Sequence, residues 1–196
     1  MPITPPSTLA PYLAVSEVID HNHPLVAAKA AALAHGLTTD AAIAAATFLF
    51  VRDAIRHSID YQVNPVTCEA SQVLAHGTGY CFAKAHLLVA LLRANGIPAG
   101  LCYQRLHLAA DRFFLHGLAA VHLTGFNWYR IDPRGNKPGI DARFQPPVEY
   151  LAFTPNSPGE ADLPEIYAEP LPVVVSALRR HETWDLLLAD LPDLPA

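Results

Sequence analysis

Apolar positions along the chain follow two different periods. Up to about residue 95 they recur at helical spacing, and from 100 to 132 they alternate or run together as in strands. Pro24 suits the first turn of a helix over about 24–35, which Gly36 would close. Thr39 is a good N-cap for a second helix from 40 to about 57, with Ile43, Phe48, Val51 and Ile55 on its buried face. A polar, proline-containing loop follows over 60–67. Leu87, Leu88, Leu91 and Leu92 then predict a central buried helix that begins at or just before Cys81 and is stopped by Gly96 and Pro98. Residues 100–108 and 112–123 read as strands, and 128–132 completes an antiparallel hairpin after a turn at Thr124-Gly125. From 133 to 172 prolines are frequent, which predicts a surface wrap with little regular structure. Residues 173–190 read as one more helix, packed through Trp184, Leu187 and Leu188. Helices first and strands after predict an α+β fold, in a single domain over 1–196 with its core at about 40–135.

Composition narrows the class of protein. With 52% hydrophobic and 16% charged residues, the chain can bury a compact core. A net charge of −5 gives no electrostatic reason to expect nucleic acid as a partner. The longest apolar run, 41–51, meets Arg52 and is too short to cross a bilayer, so no membrane partner is expected. The first residues lack the basic start and apolar stretch of a secretory signal. Cys68, Cys81 and Cys102 form no spaced framework, which fits a reducing cytoplasm. Oligomeric state is not encoded in any recognisable pattern.

Cys81 carries the strongest chemical signal. A helix N-terminus stabilises a thiolate, and the glycines at 77 and 79 allow the preceding turn to approach closely. Its backbone N–H can also serve as an oxyanion donor. Taken alone, Cys81 reads more naturally as a small buried hydrophobe, the usual fate of a cysteine, and so do Cys68 and Cys102. A thiol enzyme needs a base and a group that orients it. Ten histidines compete for the first role. His21, His23, His35, His57 and His181 fall at predicted helix ends or in loops, where solvation is the default. His76 precedes the glycine turn, and His86 lies on another face of the Cys81 helix. His107 and His122 lie on strands and stay open. His116 is favoured by Asp132, sixteen residues on across the hairpin turn and on the same face of the sheet.

These residues resemble a known family. Gly77-Thr78-Gly79-Tyr80-Cys81, then Lys84-Ala85, then Leu91-Leu92-Arg93-Ala94-Asn95-Gly96-Ile97-Pro98-Ala99 is similar to the nucleophile segment of bacterial transglutaminase-like proteins. His116, a glycine turn and Trp128-Tyr129-Arg130-Ile131-Asp132-Pro133 resemble that family's second block, and Phe50-Val51-Arg52-Asp53-Ala54-Ile55-Arg56 its preceding helix. The resemblance spans roughly residues 40–135 and implies a papain-like fold with a Cys81–His116–Asp132 triad. It further implies acyl transfer through a Cys81 thioester, by hydrolysis or transamidation, on a peptide or small amide. No cofactor and no metal are implied: Cys-x-x-Cys and His-Glu-x-x-His patterns are absent. Two family positions differ, an aromatic residue replaced by Leu118 and an acidic one by Ala120, which bears on substrate choice rather than chemistry. The papain-type glutamine is replaced by Ala75, leaving Gln72 or Tyr80 as second oxyanion donor. The competing readings are an acyl-CoA N-acyltransferase, which lacks its Arg-Gly-Gly-x-Cys wording here, and a peptide-N-glycanase-like enzyme, which lacks its zinc cysteines. A non-catalytic binding module retaining the fold is the alternative from another class.

Overall fold

The computed structural model describes residues 3–109 and 111–194. After a short 3-10 turn at Ala10–Leu13, the helical half runs α1 (Pro24–Ala34), α2 (Asp40–Ala54), β1 (Arg56–His57), α3 (Ser58–Tyr61), α4 (Ala70–His76), β2 (Thr78–Gly79) and α5 (Cys81–Ala94). The second half runs β3 (Ala99–Ala109), β4 (Arg112–Leu123), β5 (Asn127–Ile131), β6 (Arg143–Gln145), β7 (Val148–Tyr150), β8 (Ala161–Asp162), α6 (Pro172–Arg180) and α7 (Trp184–Ala189). The fold is α+β, as the change of period predicts.

Local chemistry sets the early helices. The Thr39 hydroxyl accepts the Ala42 N–H at 3.2 Å and caps α2. This helix stops at Ala54, short of the predicted 57, because Arg56 and His57 pair in parallel with Thr78 and Gly79. The Lys84 ammonium covers the freed carbonyls of Arg52, at 3.2 Å, and Ile55. Two helices appear where a loop or nothing is predicted, α3 and α4. Only Ala70 and Val73 of α4 are buried, too few to leave a periodic signal. Gly77, at φ +64°, ends α4 in the left-handed region that glycine tolerates.

Every residue of α5 from Cys81 to Arg93 is buried. A helix enclosed on all sides needs partners for its polar groups, and Lys84, His86 and Arg93 all reach backbone oxygen, although His86 Nε2 has no hydrogen-bond partner. His86 Nδ1 bonds the Cys68 carbonyl at 2.8 Å, and Arg93 donates to Ala99, Ala14 and Ala168 carbonyls at 3.0, 2.7 and 2.6 Å. The main sheet is antiparallel with strand order β5-β4-β3-β8. Leu115, Ala119, Val121 and Leu123 of β4 join the core around α5, while Leu118 and Ala120 pack in a second cluster with Tyr12, Cys102 and Ile166.

The proline-rich segment is more ordered than its composition predicts. It forms the β6–β7 hairpin, and β8 adds to the edge of β3 with Asp162 opposite Gln104. The predicted last helix is two. His181 is extended, and long-range hydrogen bonds hold the break: Val66 N–H to the Glu182 carbonyl at 3.3 Å and Trp184 N–H to Asn64 at 2.8 Å. Among the described residues no helix is long and apolar enough to cross a membrane.

Candidate active site

Cys81 is the first residue of α5 and is only 6% exposed. No side chain caps the helix there, so its leading amide groups face the site unclaimed by Tyr80 at the cap position. Gly117, on β4, brings the sheet against this end of the helix. A Cβ at Gly117 would lie 2.7 Å from Phe82 Cδ1 and 3.0 Å from Phe82 Cα, so only glycine permits the approach. Its N–H in turn points at Cys81 Sγ at 3.5 Å. Gly79 does similar service on the other side, where a Cβ would meet Ala83 Cβ at 3.0 Å.

His116 precedes Gly117 and is buried. Its Nε2 lies 2.8 Å from Asp132 Oδ2, and the ring shares the wall of one cavity with Cys81. Since Ala119 pairs with Ile131, residues 116 and 132 are diagonal neighbours on one face. Asp132 is fully buried and accepts two further bonds, from the Arg134 and Ala152 backbone N–H groups, each at 3.0 Å. Burial opposes its charge, but the imidazole and these amides hold the carboxyl below its usual range. Burial likewise disfavours a charged imidazole, yet Asp132 and Cys81 prevail and push His116 up to about 10. The site therefore favours a protonated ring between two groups able to carry negative charge.

The proline-rich segment contributes a strap over this pair. The Phe153 ring stands edge-on to His116 at 4.9 Å between centroids, and its carbonyl accepts from Gln104 Nε2 at 3.2 Å. Cys81 and His116 open into a mainly apolar cavity of about 100 Å³, walled also by Tyr80, Phe114, Leu188 and Leu191.

Cys81, His116 and Asp132 are thus brought together, and the other nominees are not. Cys68 and Cys102 are buried, and burial pushes both thiols up to about 12. His107 and His122 lean on Phe113 and Trp128, at 5.4 and 5.6 Å between centroids. Gln72 accepts from the Cys68 N–H at 3.2 Å in a different surface cleft, and the Tyr80 hydroxyl donates to the Trp184 carbonyl, so neither supplies the second oxyanion donor. Leu118 and Ala120 belong to the second core cluster and do not line the cavity, contrary to the expected bearing on substrate choice. His57, expected to be solvated, is 5% exposed and lines the Cys81 cavity, because β1 carries it inward opposite Gly79. Gly117, Gln104, Ala152 and Phe153 complete the site beyond the residues the sequence motifs mark. A glycine inside a strand does signal close backbone approach, whereas nothing in the proline-rich sequence marks the strap.

A helix-borne cysteine facing a sheet-borne histidine and aspartate defines the class, an α+β fold of papain type. Residues 27–133, more than half of the chain, match the Transglutaminase-like superfamily, and the chain belongs to that superfamily. A comparison with curated proteins gives no match. Among solved structures, the chain is similar to a candidate cysteine protease from Cytophaga hutchinsonii, with 19% identity and a TM-score of 0.53 over 66% of this chain and 43% of that one. It is also similar to the periplasmic domain of TgpA from Pseudomonas aeruginosa, with 22% identity and a TM-score of 0.49 over 64% and 48% of the two chains. The match therefore spans less than half the length of either structure.

Proposed function

We propose that the protein is a cysteine-dependent acyl-transfer enzyme that cleaves a peptide or small amide through a Cys81 thioester. The observation that carries this reading is the buried His116–Asp132 pair, 2.8 Å apart, in the wall of one cavity with a thiol at a helix N-terminus. In the proposed reaction Cys81 Sγ attacks the carbonyl carbon, and the Cys81 backbone N–H helps to hold the oxygen as it gains charge. The C–N bond then breaks, and protonated His116 gives its proton to the departing amine. Water attacks the thioester carbon as His116 takes a proton from it, the C–S bond breaks, and the acid leaves with Cys81 returned as the thiolate beside protonated His116. An amine in place of water yields a new amide by the same steps. Three unpaired cysteines support a place in a reducing cytoplasm.

The test is covalent trapping. After exposure to p-nitrophenyl acetate near neutral pH, mass spectrometry should find one acetyl group, on Cys81, and none in Cys81→Ala. Iodoacetamide should likewise modify Cys81 ahead of Cys68 and Cys102. Equal labelling of the three thiols, or labelling of Cys81 only after unfolding, would refute the proposal.

A further inference from the structure

A second cavity, polar and about 220 Å³, adjoins the Cys81 cavity, and His57 and Arg134 stand in the walls of both. Its charged lining is Arg52, Arg56, Lys84 and Arg134 against Asp53 and Asp60. That excess of cations stands in a chain whose net charge is −5. Pairing within the protein does not remove it. Arg134 clamps Asp60, which Lys137 also reaches at 2.6 Å, and Arg52 is bound to Asp53 at 2.7 Å. Among the described residues Arg56 has no carboxylate partner and lies over the Tyr61 ring at 5.8 Å. Lys84 donates only to backbone carbonyls, and burial lowers it to about 7, so it carries part of its charge near neutral pH. His57, more than nine-tenths buried, has an Nδ1 that makes no hydrogen bond and faces Asp60 Oδ2 at 3.9 Å. A cleft lined by three guanidinium groups and a partly charged ammonium against two carboxylates, with Arg56 unpaired among the described residues, is short of an anion.

We infer that this cleft receives a carboxylate carried on the acyl part of the substrate, an inference that rests on the thiol-enzyme reading. The choice of side follows from His116, which must protonate the leaving group. Its ring abuts Phe153, and Phe153 walls a third cavity of about 350 Å³ together with Phe114 and Leu106. The leaving group takes that side, and the acyl chain is left with the cationic cleft. Guanidinium and ammonium groups bind a carboxylate by charge-assisted hydrogen bonds, which a neutral chain end forgoes. The substrate class is then an amide whose acyl portion ends in a carboxylate, such as an acidic side chain or a dicarboxylic acid monoamide.

The test compares two esters of matched length, p-nitrophenyl hexanoate and mono-p-nitrophenyl adipate, by the burst of p-nitrophenol as Cys81 is acylated. The adipate ester should acylate at least about tenfold faster, the size expected of one charged hydrogen bond. The ratio should fall toward one in Arg56→Glu, an exposed position whose variant should melt like the parent, and should shrink at high salt. Equal rates in the parent protein, or an adipate preference that survives Arg56→Glu, would overturn the inference while leaving the thiol enzyme standing. Acylation by neither ester would overturn both.

Discussion

Asp132 is where a single substitution separates orientation from nucleophilicity. Its two oxygens accept from one imidazole and two backbone N–H groups, all in a fully buried position. Asp132→Asn keeps the shape but places an amide donor where only acceptors fit, and it can stabilise the wrong imidazole tautomer. Turnover should fall by about 10⁴-fold, the scale of the same change in a serine triad. Loss of the buried charge also costs stability, about 3 kcal/mol, since it leaves a partner uncompensated. Turnover and chemical denaturation, measured on the same preparation, check both halves. An active variant would remove Asp132 from the mechanism and leave a Cys81–His116 dyad. Of the residues that matter at this scale, His116 and Asp132 were legible in their spacing across one hairpin turn, and Cys81 chiefly in the wording its segment shares with transglutaminase-like proteins. His57 was not, since its burial depends on a two-residue pairing with Thr78-Gly79 that no periodicity announces.

Elements meet at the site through one close contact, where β4 crosses the start of α5 at Gly117. In Gly117→Ala the new methyl would meet the Phe82 backbone as well as its ring, so rotamer changes cannot absorb it. Overpacking of this kind costs about 1–3 kcal/mol, and a displacement near 1 Å between Cys81 and His116 would cost about 10²-fold in rate. Thermal melting together with the acylation rate at Cys81 measures the two effects, and an unchanged rate would mean that the helix start is not held by this contact. The strap at Ala152 and Phe153 works on the same scale from the other side. It supplies an N–H to Asp132 and a ring edge to His116, yet it comes from a segment whose prolines predicted only a wrap. Gln104 on β3 and Asp132 tie it down, through the Phe153 carbonyl and the Ala152 N–H, both long-range bonds.

Across the whole molecule the buried titratable groups set how stability follows pH. Burial lowers His86 from 6.5 to about 4, and lowers His57 well below 6.5, with Arg134 adding to the effect. Both are depressed on folding, so the stability they contribute is present above pH 6.5 and drains away as pH falls toward 4. For His86 alone this is about 3 kcal/mol. On the alkaline side two groups oppose each other. His116, raised to about 10, loses its contribution as pH climbs from 6.5, whereas Lys84, lowered from 10.5 to about 7 mainly by burial, favours the fold as pH rises through that range. Melting temperature should therefore drop steeply from pH 6.5 to 4 and change little from about 7 to 9. His86→Gln, which can still donate to the Cys68 carbonyl, should make the acid limb shallower; an identical slope would show that His86 is not what titrates. The sequence by itself determined the α+β order, the buried α5 and the β4–β5 hairpin, because helical and strand periods, caps and glycine turns are short-range signals, and it nominated Cys81, His116 and Asp132 through motifs shared with a family. Tertiary structure alone decided the early end of α2, the α6–α7 break, the strap over His116 and the cationic cleft beside the thiol. Each of these depends on hydrogen bonds or charges between segments tens of residues apart, whose energies a local pattern does not contain.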